Sequence, residues 1–374
     1  MRNGYRIIDG DGHMQEPLDI WDQYVEPEYY DRRPLVSGHI ARYIFEYAPC
    51  EAFPEGRSSL RPESVFSDCE ERYGDAWRTW WSLPARIKEI QKEGLDIQVG
   101  FPTNGGSAVS RYITDPRLQS ALSRAYNNWA TDYCHDSEGK VQYIAMVTIL
   151  DVDEAIKEVH RTSELPEATA INLPDPGDSR RWSDAEFDQL WATLSELGMA
   201  ASFHGGGSQD RIFTEYTKTP GLASVSHAIS FPLDCMLAMG TLVFGEVLER
   251  FPALRCSFLE ANAGWVPWWL GRMDDHAVGR QGRFQYGEEV KHKPSDYFMR
   301  QCYVACDADE ETLTFAATQL KDNLIFNTDW PHPDAPIPGA VDKFLERDFS
   351  EDIKKKILWD NSVRLYGDRV LSGE

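Results

Sequence analysis

The chain has 374 residues, 42 % hydrophobic and 12 % aromatic, which is enough apolar side chain for a large core and excludes a disordered polypeptide. Acidic residues outnumber basic ones 61 to 38, a formal charge of −23, so there is no basic footprint for nucleic acid and the charge reads as solubility. Seven scattered cysteines with no C-x-x-C pair point to free thiols in a reducing cytoplasm rather than to a disulfide framework.

The first apolar run, Arg6-Ile7-Ile8-Asp9, predicts a strand that breaks into Gly10-Asp11-Gly12-His13. A stretch of about residues 17–81 follows, rich in Pro, Tyr, Glu and Arg and without a clean period. It is expected to be an insertion packed over one face. Beyond it the rhythm is regular. Strands are expected at Asp96–Gly100, Tyr143–Val147, Ala168–Ile171, Ala200–Phe203, Arg255–Leu259, Cys302–Ala305 and Asn323–Phe326. Helical periods lie between them at Gln119–Cys134, Val152–Ser163, Asp184–Leu197, Phe231–Arg250 and Glu310–Thr318. Helical patterns from Gly339 to Phe344 and over about residues 350–370 close the chain. Eight short strands, most followed by a helix, predict an α/β fold: one (β/α)₈ TIM barrel over residues 1–374, with a long insertion after its first strand. No G-x-G-x-x-G follows the first strand, which argues against a dinucleotide fold. The start of the chain lacks the apolar stretch of a signal peptide, and no run approaches ~18 apolar residues, so no membrane partner is expected.

Chemistry in such a barrel sits at the C-terminal strand ends. The first predicted strand ends with Asp11 and His13, the fifth with His204, the sixth with Glu260 and the eighth with Asp329, with His332 three residues on. Imidazole and carboxylate are the ligands of zinc, iron and manganese sites. Residues i and i+2 of an extended segment share a side, so Asp11 and His13 aim together. Each alone is weak evidence, since a strand-end His is more often hydrogen-bonded structure than ligand. Their coincidence at four strand ends points to a divalent metal.

The chain also resembles the amidohydrolase-related family, a group that includes aminocarboxymuconate semialdehyde decarboxylase and aromatic-acid decarboxylases. The resemblance rests on Asp9-Gly10-Asp11-Gly12-His13-Met14-Gln15-Glu16-Pro17, on Phe251-Pro252-Ala253-Leu254, and on Glu260-Ala261-Asn262-Ala263-Gly264-Trp265-Val266-Pro267. Thr328-Asp329-Trp330-Pro331-His332 and the run Asp360 to Gly367 complete it. The resemblance implies a metal-dependent hydrolase or decarboxylase acting on a small carboxylate or amide. The opening motif, often His-x-His in that family, has Asp11 in its first position and His13 in its second. The mid-chain histidine corresponds to His204 and the late aspartate to Asp329. Many family decarboxylases carry a histidine near the place of Glu260. His227, expected in the loop after the fifth strand, is a further candidate.

Asp11, His13, His204 and Asp329 suffice for one ion with an open position, zinc ahead of iron or manganese. Adding Glu260, His227 and His332 gives enough donors for two. The expected roles are Asp329 as general base, with His204 or His227 stabilising negative charge; for decarboxylation, Arg272 or Arg111 is a candidate second anchor for the substrate. Rarer relatives imply an alternative, a dinuclear iron or iron–manganese oxygen-dependent hydroxylase with Glu260 as the bridge. A second alternative is a non-catalytic partner subunit. Glu260 pairing with Arg272 is the bland reading of that carboxylate, and His332 orienting Asp329 that of the histidine. His39, His135, His160, His276 and His292 are expected to be structural or surface residues. The aromatic surface suggests a homo-oligomer, or a hetero-oligomer with a related subunit.

Overall fold

The computed structural model describes residues 1–39, 44–49, 57–58, 68–103, 109, 113–177, 179–205, 216, 219, 221–277, 290–332 and 335–373. Eight parallel strands form one sheet in the order β1 (Ile8–His13), β5 (Ile97–Phe101), β6 (Val141–Met146), β7 (Ala168–Asn172), β8 (Ala200–His204), β9 (Cys256–Leu259), β10 (Cys302–Asp307) and β11 (Leu324–Asn327). The remaining strands, β2 (Val36–His39), β3 (Ile44–Tyr47) and β4 (Arg57–Ser58), make a small antiparallel sheet within the insertion. The eight strands are the eight that the sequence predicts, displaced by up to four residues at their ends.

The largest displacement is in β1, which does not break at Gly10 but runs through to His13. The physical reason lies in its glycines. A Cβ on Gly10 would stand 2.9 Å from Ile325 Cδ1, and one on Gly12 would stand 2.6 Å from the Gln98 amide. The residues that read as a turn are there because both neighbouring strands press against β1. The barrel closes through β1: Asp329 N donates to Asp11 O at 2.9 Å and His13 N to Trp330 O at 2.8 Å.

Two apolar layers follow. Inside the barrel, Ile8, Ile97, Val99, Ile144, Leu259, Tyr303 and Ile325 pack with Leu365, Tyr366 and Val370, so the C-terminal segment plugs the bottom of the barrel. Tyr366 Oη donates to Gly10 O at 2.8 Å. Outside, the opposite faces of the strands bury the apolar faces of the helices, among them Leu190, Trp191 and Leu194 of Asp188–Leu197. The insertion is anchored by aromatic edges: Trp81 meets Trp330 with ring centroids 5.1 Å apart, and Trp80 Nε1 donates to Glu16 O at 3.0 Å.

Several helices differ from expectation, and Val266–His276 and Pro294–Gln301 are among those not foreseen. Leu83–Glu93, not foreseen, follows the insertion, with Ser82 before it, Pro84 in its first turn and Gly94 ending it in a left-handed conformation. The helix expected at Phe231–Arg250 instead spans Ala223–Phe244, and a separate turn covers Val247–Arg250. Pro232 reads as a helix start but lies inside this helix, so the sequence rule placed the start too late. Ser224–Phe244 is long and apolar enough to cross a membrane by length and composition, with mean hydropathy 1.4, which the apolar-run reading had missed. It is also the helix that packs on β8.

Candidate metal centre

The strand ends assemble as the barrel rule requires. Asp11 and His13 project from β1, His204 from the end of β8, and Asp329 and His332 from the segment just past β11. Donor atoms of Asp11, His13 and His204 all lie within 4.8 Å of one another, and so do those of His13, Asp329 and His332. His13 belongs to both groups. Its Nε2 is 3.0 Å from Asp329 Oδ1 and 3.3 Å from His204 Nε2. Two imidazoles that close, both within 4.8 Å of one Asp11 carboxylate oxygen, are the arrangement of ligands around a cation.

Asp11 carries the decisive signal. It is 0 % exposed; its Oδ2 accepts from Glu260 N at 3.2 Å, and its Oδ1 has no hydrogen-bond partner among the described residues. A buried carboxylate oxygen left unpartnered costs free energy, and native proteins tolerate one where an ion completes it. Burial, together with the charges of Asp329, Glu260 and Asp9, holds Asp11 well above the usual carboxylate range, while His204 opposes this. The residues present therefore fit a divalent cation: nitrogen and oxygen donors only, with excess negative charge and one oxygen waiting.

The ligand side chains are oriented from behind. His13 Nδ1 faces Thr103 Oγ1 at 3.2 Å, and His204 Nδ1 faces Gly205 O at 3.1 Å, so each imidazole keeps Nε2 for the centre. Glu260 lies at the rim with Oε2 2.5 Å from His204 Nε2. Burial works against charge in both partners. Even so, Glu260, with Asp11 and Asp329, raises His204 to about 9, and His204, with His332 and His13, lowers Glu260 to about 2. The two form an ion pair, and Arg272, the partner that the bland reading of Glu260 offered, is exposed. A cation bound at His204 Nε2 would displace the proton held there. Glu260 and Asp329 both sit in the left-handed region, at φ +53° and +55°. Non-glycine residues held so cost about 1–3 kcal/mol each, and such strain gathers at functional sites.

His227 does not join these residues. It is exposed on the helix Ala223–Phe244, not in a loop, and stacks on Phe231 with centroids 4.7 Å apart; Phe231 in turn meets His204 at 6.3 Å. His332 packs against His13 with centroids 4.1 Å apart, and its Nδ1 lies 3.9 Å from Asp329 Oδ2. Among the other histidines, His135 pairs with Glu167 at 3.0 Å, and His160 and His292 are exposed. Arg111 and the His39 side chain lie outside the described residues.

Sequence reasoning missed Asp9, Arg86 and Gln98, which lie beneath the ligands, and the cavity beside them. That cavity, about 320 Å³, opens from His204 between β7, β8 and the helix Ala223–Phe244. Its walls include Leu173, Trp182, Phe203 and Leu237, with Arg181 and Asp234 also facing it. Asp9 had a signal, as it alternates with Asp11 in the opening motif; the cavity had none.

A family model described as amidohydrolase matches residues 9–367. Among curated proteins, the chain is 21 % identical over 291 residues to 2-amino-3-carboxymuconate-6-semialdehyde decarboxylase of Dictyostelium discoideum, covering 77 % of each chain. It is 23 % identical over 312 residues to gamma-resorcylate decarboxylase of Polaromonas sp. strain JS666, covering 77 % of this chain and 91 % of the relative. Among solved structures, 5-carboxyvanillate decarboxylase of Novosphingobium aromaticivorans, complexed with manganese and 4-hydroxy-3-methoxy-5-nitrobenzoic acid, superposes with a TM-score of 0.67 at 17 % identity, covering 98 % of this chain and 97 % of that one.

Proposed function

Since this chain belongs to the amidohydrolase family, we propose that it is a metal-dependent decarboxylase of a small aromatic carboxylate. The observation that carries the reading is the unpartnered, fully buried Oδ1 of Asp11 among His13, His204 and Asp329. The decarboxylase names of the relatives support the reaction class, and the cavity supports the substrate class. Trp182 and Phe203 supply ring-sized apolar walls next to His204, and about 320 Å³ accommodates one substituted ring. Manganese in the structural neighbour supports manganese as a candidate ion alongside zinc and iron.

Asp11, His13, His204 and Asp329 would hold the ion. Once bound, it supplies a fixed positive charge that anchors the substrate carboxylate. The rest falls to the chain. Decarboxylation breaks the bond between ring carbon and carboxyl group; CO₂ leaves, the electron pair stays with the ring, and the ring carbon must gain a proton. Asp329, whose side chain is 17 % exposed where Asp11 is sealed, is the more accessible of the two carboxylates and is assigned that proton transfer. His332, beside it, orients the carboxylate. Glu260, beside His204, would offset the positive charge of the ion. Phe203 and Trp182 keep water from the ring.

His227, exposed and outside both donor groups, leaves the two-ion arrangement without one of its expected ligands, so we favour a single ion. The expected oligomer contact falls on the exposed apolar face of the helix Ala223–Phe244, where Val225, Ile229 and Leu237 are 38 %, 43 % and 50 % exposed. The test of the function is CO₂ release from a panel of hydroxybenzoates by protein reconstituted with manganese or zinc. Release that depends on metal but not on oxygen supports the reading. Activity that consumes oxygen, or hydrolysis of amides with no CO₂ from any acid, overturns it.

A further inference from the structure

Below the ligands lies a buried polar chain that the proposed chemistry does not use. Arg86, on the helix Leu83–Glu93, is 0 % exposed. Its Nη2 donates to His13 O at 2.7 Å, its Nη1 to Gln98 Oε1 at 2.6 Å, and its Nε to Tyr133 Oη at 3.0 Å. Its Cζ also stands 5.2 Å from the centroid of the Trp330 ring. Among the described residues no carboxylate pairs with it directly. A buried guanidinium is costly unless its charge is answered, and here the answer comes at one remove. Gln98 Nε2 donates to Asp9 Oδ2 at 2.9 Å. Asp9, also 0 % exposed, accepts from Thr328 N at 3.0 Å and from Thr328 Oγ1 at 2.6 Å. Thr328 Oγ1 in turn accepts from Trp330 N at 3.2 Å.

This chain grips both ligand-bearing segments. On β1 it holds the carbonyl of His13, whose N–H bonds Trp330 O. Past β11 it holds Thr328 and Trp330, the two residues that flank Asp329. Asp329 has a left-handed backbone, which survives only where its neighbours over-determine it. The apolar barrel interior would pack without any of these groups, so their cost needs a return.

We propose that Arg86 is a positioning residue for the metal centre. Through the carbonyl of His13, and through Gln98, Asp9 and Thr328, it fixes the spacing between His13 and Asp329 and so sets metal affinity. This rests on the metal reading above. It adds that the affinity is set from the first barrel helix, outside the ligand shell.

The test is Mn²⁺ titration of the metal-free full chain, with free Mn²⁺ read by electron paramagnetic resonance. Arg86→Met and Gln98→Leu are each expected to weaken Mn²⁺ binding about 10- to 100-fold, the usual cost of removing an outer partner of a metal ligand. Arg86→Lys restores part of it, because one ammonium reaches fewer of the three acceptors. Folded Arg86→Met that melts lower but binds Mn²⁺ as tightly as wild type overturns the proposal, since a purely structural role predicts that pairing. If Arg86→Met does not fold, Thr328→Val carries the test: it removes one hydroxyl at nearly constant volume. Several-fold weaker Mn²⁺ binding supports the proposal and unchanged binding overturns it. Wild-type protein that binds neither Mn²⁺ nor Zn²⁺ overturns the metal reading itself, an outcome distinct from variants that match a metal-binding wild type.

Discussion

His13 Nε2 and Asp329 Oδ1 lie 3.0 Å apart, although they come from opposite ends of the chain. They meet because β1 and the segment past β11 are neighbours where the barrel closes, and the backbone bonds from Asp329 N to Asp11 O and from His13 N to Trp330 O fix their register. The seam of the barrel is thus also the floor of the candidate metal centre.

Asp329→Asn is expected to keep the fold and lose at least about a hundredfold in kcat, since general acid–base groups typically contribute that much or more. CO₂ release with a circular dichroism spectrum as control measures it. A variant with wild-type turnover would remove Asp329 from the proton transfer.

Asp11→Asn separates stability from function. The carboxylate is fully buried with one oxygen unpartnered, and burial disfavours its charge. The neutral amide, whose oxygen still accepts from Glu260 N, is expected to raise the melting temperature of the metal-free protein while Mn²⁺ binding falls by about a hundredfold or more. Calorimetry with and without Mn²⁺ reads both. A metal-free variant that melts lower, with Mn²⁺ affinity intact, would contradict the assignment.

Chelation should lower the melting temperature, and Mn²⁺ should restore it in a concentration-dependent way. An ion at a hundred times its Kd stabilises by about 2.7 kcal/mol. A melting temperature indifferent to metal over three decades of concentration would mean that no ion binds the folded state.

Asp307, at the end of β10, gives a pH signature away from the ligands. Burial, with Glu310 and Asp309 nearby, raises it from 3.8 to about 6, against the hydrogen bonds from Asn327 and Asn262. A carboxyl raised in the folded state binds its proton more tightly there than in the unfolded chain. Its contribution is therefore complete below pH 3.8 and is lost as pH rises through 6. At about 1.4 kcal/mol per pKa step, the span is at most about 3 kcal/mol. Asp307→Asn should flatten stability against pH between 4 and 6.5 in urea unfolding; an unchanged slope would place the titration elsewhere.

Gln15 is 3 % exposed, and neither its amide nitrogen nor its oxygen has a partner among the described residues. Gln15→Leu is expected to leave stability unchanged or raise it by about 1–2 kcal/mol, because it removes two unsatisfied groups at similar volume. Destabilisation in urea melts would show that the amide is satisfied in solution.

The sequence by itself determined the barrel and most of the centre. Apolar runs of strand length alternating with helical periods are local signals, and strand ends in such a barrel converge whatever the loops do, so Asp11, His13, His204 and Asp329 were legible as one group. The run of β1 through Gly10 and Gly12 was not legible, because those glycines answer to Ile325 and Gln98 on other strands. Nor was the partner of Glu260, which register across β8 and β9 made His204, nor the place of His227, since a helix interior seldom holds a proline such as Pro232. The chain from Arg86 to Thr328 was beyond reach for the same reason. Its members come from a helix, two strands and the segment past a third, and periodicity records which face a residue takes, not whose side chain it meets there. Which ligands can gather is a property of the strand pattern; how far apart they are held is decided only when the barrel closes.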